Sequence, residues 1–286
     1  MRITQLGSGG NFPIPMPTCS CNVCEEARDR GGRYVRRGSA TYVHDDNILI
    51  DTPELIGPML NDAEIRRVDH ILLTHFHGDH VNGLAVVQSL GRGEFPLEGW
   101  EPRDPPTVYM SESTYESLEK SQPYRLKYED VFIDVELVND GDSVSLGETT
   151  VTAVESPIAG SPRHRMSNFI LERDEATVLV SPDETKGLDL SKIPPEVTLW
   201  IKECGMFRVD PTGSPVMSDS LWEQERETEL TFEETLSQID HVEPERTVLT
   251  ELEEIYQRSY DDYRSLESKY ANRNLAFSFD GMEITV

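Results

Sequence analysis

At 286 residues the chain has room for one large domain or two small ones. Its 53 acidic against 26 basic residues leave a formal charge of −27, which argues against wide contact with a nucleic-acid backbone. No apolar run is long enough to span a bilayer and no signal-peptide core opens the chain, so a soluble cytoplasmic protein with no membrane partner is expected. The bases are mostly arginine, with only six lysines. That balance fits adaptation to high salt, where self-repulsion is screened, although an acidic surface in an ordinary cell has the same composition.

Met1–Leu6 alternates as a first strand and opens onto Gly7-Ser8-Gly9-Gly10-Asn11. Glycine there permits tight turns and its free N–H groups suit an anion, yet a lone glycine-rich loop is ordinarily just a turn. After the stiff stretch Pro13–Pro17, three of the four cysteines, Cys19, Cys21 and Cys24, fall within six residues. In a chain without secretory features this reads as a metal clip rather than a disulfide framework, with free or redox-active thiols as the alternative. Three thiolates need a fourth ligand to close a tetrahedral structural zinc site. Glu25–Gly32 is a short charged helix, and Ala40–His44 pairs with Asn47–Asp51 as a hairpin. Asp51 either caps a helix or orients a metal-bound histidine from behind.

The densest stretch is Asp69–Leu84, DHILLTHFHGDHVNGL. A strand at His70–Thr74 runs into His75, His77, Asp79 and His80, and a helix is expected from Val81 to about Leu90. On extended chain, His75 and His77 point to one side and can chelate one ion. Gly78 lets the chain turn, so that Asp79 and His80 face a second ion. Carboxylate beside imidazole suits Zn, Mn or Fe.

Gly91–Pro106 is a loop of the kind that borders sites. Thr107–Met110 is a strand and Ser111–Lys120 a helix; Phe132–Val138, Ser143–Leu146 and Thr149–Glu155 are strands. The polar loop Ser156–Ser167 holds Arg163, His164 and Arg165. Two arginines in so acidic a chain suit phosphate oxygens, or simply make surface pairs. Asn168–Glu172 and Thr177–Val180 form a strand pair leading to Asp183, where a carboxylate bridging two ions is expected. Val197–Ile201 leads to Glu203 and Cys204, and Thr212–Glu229 is irregular and acidic. Thr231–Ile239 has a helical period, with Phe232, Leu236 and Ile239 on one face. Arg246–Leu249 is a strand followed by Glu251 and Glu254. Asp261–Tyr270 is a helix, and Leu275–Phe279 with Met282–Val286 reads as a closing hairpin. Periodicity alone establishes a mixed α/β chain.

The apolar strand followed by His75-x-His77-x-Asp79-His80 resembles the metal motif of the metallo-β-lactamase superfamily, whose members are mostly hydrolases. The resemblance implies an α/β four-layer αββα sandwich, two sheets face to face with helices outside and the site along one edge. The cysteine clip, Asp51-Thr52-Pro53-Glu54 and the ending Phe279-Asp280-Gly281 narrow it to the phosphoribosyl cyclic phosphodiesterase (PhnP-like) branch. It extends over essentially the whole chain, implying a single domain at 1–286 with a zinc clip at 19–24. The branch implies one structural Zn and two divalent ions, Zn or Mn, that open small or cyclic phosphodiesters through a hydroxide held between them.

On this resemblance His75, His77 and Asp183, with His164 as a further candidate, hold the first ion. Asp79, His80, Asp183 and Glu251 hold the second, with Asp79 and His80 the candidate catalytic residues and Arg163 and Arg165 candidates for substrate phosphate. The chain departs from the branch twice. A metal-binding histidine expected ahead of Ser167 is replaced by Ser156-Pro157-Ile158-Ala159, and Thr-His-x-x-His reads Thr250-Glu251-x-x-Glu254. Glu251 then stands in at the second ion, where a carboxylate favours Mn or Fe over Zn, and Glu254 or Cys204 closes the clip. The rivals are a tRNA 3′-processing endonuclease and a scaffold that has lost its ions; a homodimer is left open.

Overall fold

The computed structural model describes residues 1–90, 104–122, 132–158, 160–161 and 163–286. Among them, two seven-stranded sheets carry the chain. The first runs β14 (Met282–Thr285), β1 (Arg2–Gly7), β2 (Ala40–Val43), β3 (Ile48–Ile50), β4 (His70–Leu72), β5 (Thr107–Met110) and β6 (Asp134–Leu137). The second runs β13 (Leu275–Phe277), β12 (Arg246–Thr250), β11 (Leu199–Glu203), β10 (Ala176–Ser181), β9 (Arg165–Arg173), β8 (Thr149–Pro157) and β7 (Ser143–Leu146).

Side chains alternate across a strand, so neighbours in sequence feed different layers. Ile50 and Leu72 of the first sheet meet Phe169, Val180, Ile201 and Val248 of the second in one buried cluster between the sheets. Their neighbours Leu49 and Ile71 face outward, onto Ile56, Met59 and Leu60 of the helix Ile56–Asp62. On the far side, Leu179, Trp200 and Leu249 pack against Phe232, Leu236 and Ile239 of the helix Phe232–Val242. Each such aliphatic or aromatic side chain contributes roughly 1.5–3 kcal/mol by leaving water. The result is a four-layer αββα sandwich. Strands β3 to β6 are mutually parallel, as are β10 to β13, so within each set the carboxyl ends share one edge. Loops beyond such ends are where ligands bind in α/β sheets.

Three elements differ from the sequence reading. The helix expected from Val81 breaks into a single turn, Gly78–Val81, and a 3-10 stretch, Leu84–Gln88. Gly83 is pressed onto the chain after β3: its N–H donates to the Thr52 carbonyl at 2.8 Å, and a Cβ there would lie 2.0 Å from the Pro53 oxygen. The acidic stretch 212–229 contains the helix Asp219–Glu225, capped by Ser218 and anchored by buried Trp222. The closing hairpin does not form, because β13 pairs with β12 and β14 with β1, in different sheets. The crossing is fixed at Asp280, whose carboxylate accepts from Ser8 N–H, the Ser8 hydroxyl and Arg37 N–H. Most of the loop read over Gly91–Pro106 lies outside the described residues, as do positions 159 and 162 of the polar loop. No described helix is long and apolar enough to cross a membrane.

Candidate metal centre

The ends of β3, β4, β10 and β12 deliver one cluster. Past β4, extended chain and the turn at Gly78–Val81 present His75, His77, Asp79 and His80. Asp183 follows β10 and Glu251 follows β12. Donor atoms fall into two groups, His75, His77 and Asp183, and Asp79, His80 and Glu251, each spanning less than 4.8 Å. Asp183 Oδ2 lies 3.3 Å from His75 Nε2 and 3.6 Å from His80 Nε2, so one oxygen faces both groups. His80 Nε2 is 3.6 Å from Asp79 Oδ2 and 3.9 Å from Glu251 Oε1. Donors around one tetrahedral ion at about 2.05 Å stand about 3.4 Å apart, close to these separations.

Both imidazoles are aimed from behind. Asp51 Oδ2 meets His80 Nδ1 at 2.8 Å, while Asp51 also accepts from the Thr74 N–H and hydroxyl, each at 2.8 Å. The Thr74 oxygen in turn lies 3.0 Å from His75 Nδ1. Network logic puts a proton on Nδ1 of both rings and turns both Nε2 atoms toward the cluster, where a bound cation would take their lone pairs. Asp51 is therefore an orienting group; the helix Ile56–Asp62 starts after Leu55 and does not use it as a cap. Asp51 and Glu251 hold φ of 63° and 56°, a left-handed backbone that side chains rarely adopt.

The cluster fits cations. His75 Nε2, His80 Nε2 and Glu251 Oε1 are buried without a hydrogen-bond partner among the described residues. Each such atom costs about 1–3 kcal/mol unless something else satisfies it. His77 is pushed down to about 4 by burial and by its neighbour His75, which keeps its ring neutral and its lone pair available. Burial works against charge on His80, but Asp51 and Asp79 outweigh it and hold the ring well above the ordinary imidazole value. Burial, then the nearby charges of Asp183 and Asp79, push the Glu251 carboxyl well above the usual range. Crowded carboxylates and orphaned nitrogens are both relieved by a positive ion.

A second donor set lies nearby: Cys19, Cys21, Cys24 and Glu254. Glu254 Oε1 is 2.7 Å from Cys21 Sγ and 3.7 Å from Cys19 Sγ, and all four cysteines are free thiols. Burial and the Glu254 contact push the Cys21 thiol up to about 12, so a metal rather than solvent would have to stabilise its thiolate. Cys204 sits elsewhere, buried in the cluster around Trp200.

In front of the two groups opens a cavity of about 890 Å³. Phe12, Met206, Leu221 and Ile255 line it together with Glu203, Glu225, Glu229 and Glu253, and no described lysine or arginine does. Arg163 and Arg165 are exposed beside Ser113, outside this lining. His164 is not in either donor group: its ring packs on Phe76 at 4.6 Å and its Nδ1 meets the Ser161 hydroxyl at 2.6 Å.

Residues 46–250 match the family described as the beta-lactamase superfamily domain. The chain belongs to that superfamily, in its metallo-β-lactamase form. Among solved structures, a diphosphatase from the PhnP family is similar over 99% of this chain and 97% of its own, at 18% identity and a TM-score of 0.71. Zn-bound PqqB from Methylobacterium extorquens has the same TM-score at 16% identity, with both chains covered in full. A curated relative, the anti-Pycsar protein Apyc1 of Paenibacillus sp. (strain J14), is 26% identical over 181 residues, 58% of this chain and 62% of its own. The chain spans less than two thirds of the length of the curated relatives it matches.

Within this metallo-β-lactamase fold, sequence reading passed over three contributors. Thr74 ties the two imidazoles together, a role signalled only by a hydroxyl directly ahead of His75. Gly10 borders the second donor group: a Cβ there would lie 2.5 Å from Glu251 Oε2 and 2.1 Å from Glu253 Oε1. Glu253 accepts from Asn11 N–H at 2.9 Å and fastens the glycine loop to the site.

Proposed function

We propose that the chain is a metal-dependent hydrolase of small phosphodiesters. The carrying observation is the pair of donor groups, joined by one Asp183 oxygen and containing three buried atoms with no hydrogen-bond partner among the described residues. Divalent ions bound there would supply Lewis acidity and the positive charge that a phosphoryl group needs. The lining offers no described lysine or arginine, so in this reading the ions carry that charge alone. The chain's own part is positioning. Asp51 fixes His80, Thr74 fixes His75, and Asp183 ties the groups together. Asp79 lines the cavity, where its carboxylate can hold a proton and pass it to the leaving oxygen. The acidic lining supports a small substrate over a tRNA, which must be gripped along its phosphates. The likeness to a PhnP-family diphosphatase supports phosphate chemistry, and the cysteine set with Glu254 completes the reading as a structural zinc site.

Bis(p-nitrophenyl) phosphate is the simplest probe. Purified protein should hydrolyse it with added Mn or Zn, and His77→Ala or Asp79→Ala should abolish turnover. No hydrolysis with any divalent ion, or undiminished turnover by His77→Ala, overturns the assignment.

A further inference from the structure

The two donor groups are chemically unequal. The first has two imidazoles and one carboxylate; the second has one imidazole and two carboxylates. The imidazole of the second is itself backed by the buried Asp51 carboxylate at 2.8 Å, which adds negative charge to that side alone. Imidazole suits Zn, whereas carboxylate oxygen suits harder cations such as Mn.

We infer that Glu251, held beneath Gly10, sets a metal preference at the second position that differs from the first, so that the pair takes Zn beside His75 and His77 and Mn beside Asp79 and His80. The inference rests on the reading above that ions occupy both positions. Glu251 is well placed for such a role. Its backbone holds a left-handed φ of 56°, and its Oε1 is buried without a hydrogen-bond partner among the described residues, 3.9 Å from His80 Nε2. The glycine loop borders this space: a Cβ at Gly10 would have to push aside the Glu251 and Glu253 carboxylates, which it would meet at 2.5 and 2.1 Å. Zn binds more tightly than Mn at nearly any nitrogen–oxygen site, so the inference concerns the ratio of preferences between positions. One imidazole exchanged for one carboxylate should lower the Zn-over-Mn preference of the second position relative to the first.

The test reads occupancy position by position. Crystals of the full chain are equilibrated in metal buffers with Mn in large excess over Zn, and anomalous differences are collected at both absorption edges. The expected result is Zn in the clip and beside His75, and Mn beside Asp79. Glu251→His should bring Zn into the second position. Gly10→Ala, which crowds Glu251, should lower occupancy there and spare the first position and the clip. Circular dichroism checks that each variant folds; if either does not, the wild-type ratio decides alone. The same Zn-to-Mn ratio at both positions overturns the inference and leaves the hydrolase reading standing. Two empty positions beside a filled clip overturn both.

Discussion

Asp51→Asn isolates the device that aims the two imidazoles. The substitution keeps volume and keeps an oxygen for the Thr74 N–H, now accepted at 2.8 Å. The other end becomes an NH₂ facing His80 Nδ1, also at 2.8 Å, where a carboxylate oxygen stood. Two donors cannot face each other, so His80 must move its proton to Nε2 and lose the lone pair it turns toward the cluster. The Thr74 hydroxyl, which donates to the same Asp51 oxygen, must also turn, and His75 loses part of its support. Outer partners of metal-binding histidines are worth about 10–100-fold in affinity, or about 1.4–2.8 kcal/mol. The loss should fall mainly on the second position, because His80 is touched directly and His75 through one intermediary. Titration of metal-free protein against a competing chelator, with metal content read by mass spectrometry, measures it. Wild-type affinity at both positions in a folded Asp51→Asn protein would refute the tautomer argument.

Cys21→Ser should remove one Zn per chain, spare the other ions and lower Tm by roughly 5–10 °C, equivalent to about 3 kcal/mol; a Cys19–Cys24 disulfide in a crystal would contradict it. The charge of −27 predicts an unfolding midpoint that climbs steeply with salt into the molar range, and full stability in low-salt buffer would remove the halophile reading. Burial and the charges of Asp183 and Glu184 push Glu229 up to about 8. A carboxyl raised in the folded state is stabilising while protonated and loses that contribution as pH climbs from its unfolded value, near 4.5, through about 8. Glu229→Gln should therefore be more stable than wild type above pH 8, with the gain gone by about pH 4.5; a pH-independent difference in denaturation midpoint would contradict the assignment.

How much could be read without coordinates follows from the range of each signal. The His75–His80 run and the three clip cysteines are local patterns whose spacing states their chemistry directly; the structure gathers the cysteines in one donor group and divides the run between two. Asp183 was marked only by its place just past a strand end, and Glu251 and Glu254 became legible only through likeness to a family, because nothing in their own neighbourhoods marks them. The missed features are tertiary. Alternation shows that Leu275–Phe277 and Met282–Thr285 are strands but not which sheet each joins, and Asp280 settles that by reaching Ser8 and Arg37. Gly83 lies inside the expected helix, but what interrupts that helix is the tertiary approach of Pro53, which a sequence pattern does not carry. Arg163 and Arg165 carried the right charge but stand outside the cavity lining.

The two donor sets differ in how far apart their members lie along the chain, and this fixes an order of assembly. Cys19, Cys21 and Cys24 lie within one six-residue segment, so they can capture an ion while the remainder is still unfolded or unsynthesised, with Glu254 arriving later. The other set has no such head start. Asp183 stands more than a hundred residues beyond His80, and Glu251 well beyond that, so the entropic cost of closing a long loop falls before either position is complete. If the clip holds zinc as proposed, nascent chains should carry it long before the paired positions exist. The second ion would be met only by a finished sandwich, whose shape is already set when the choice of metal is made.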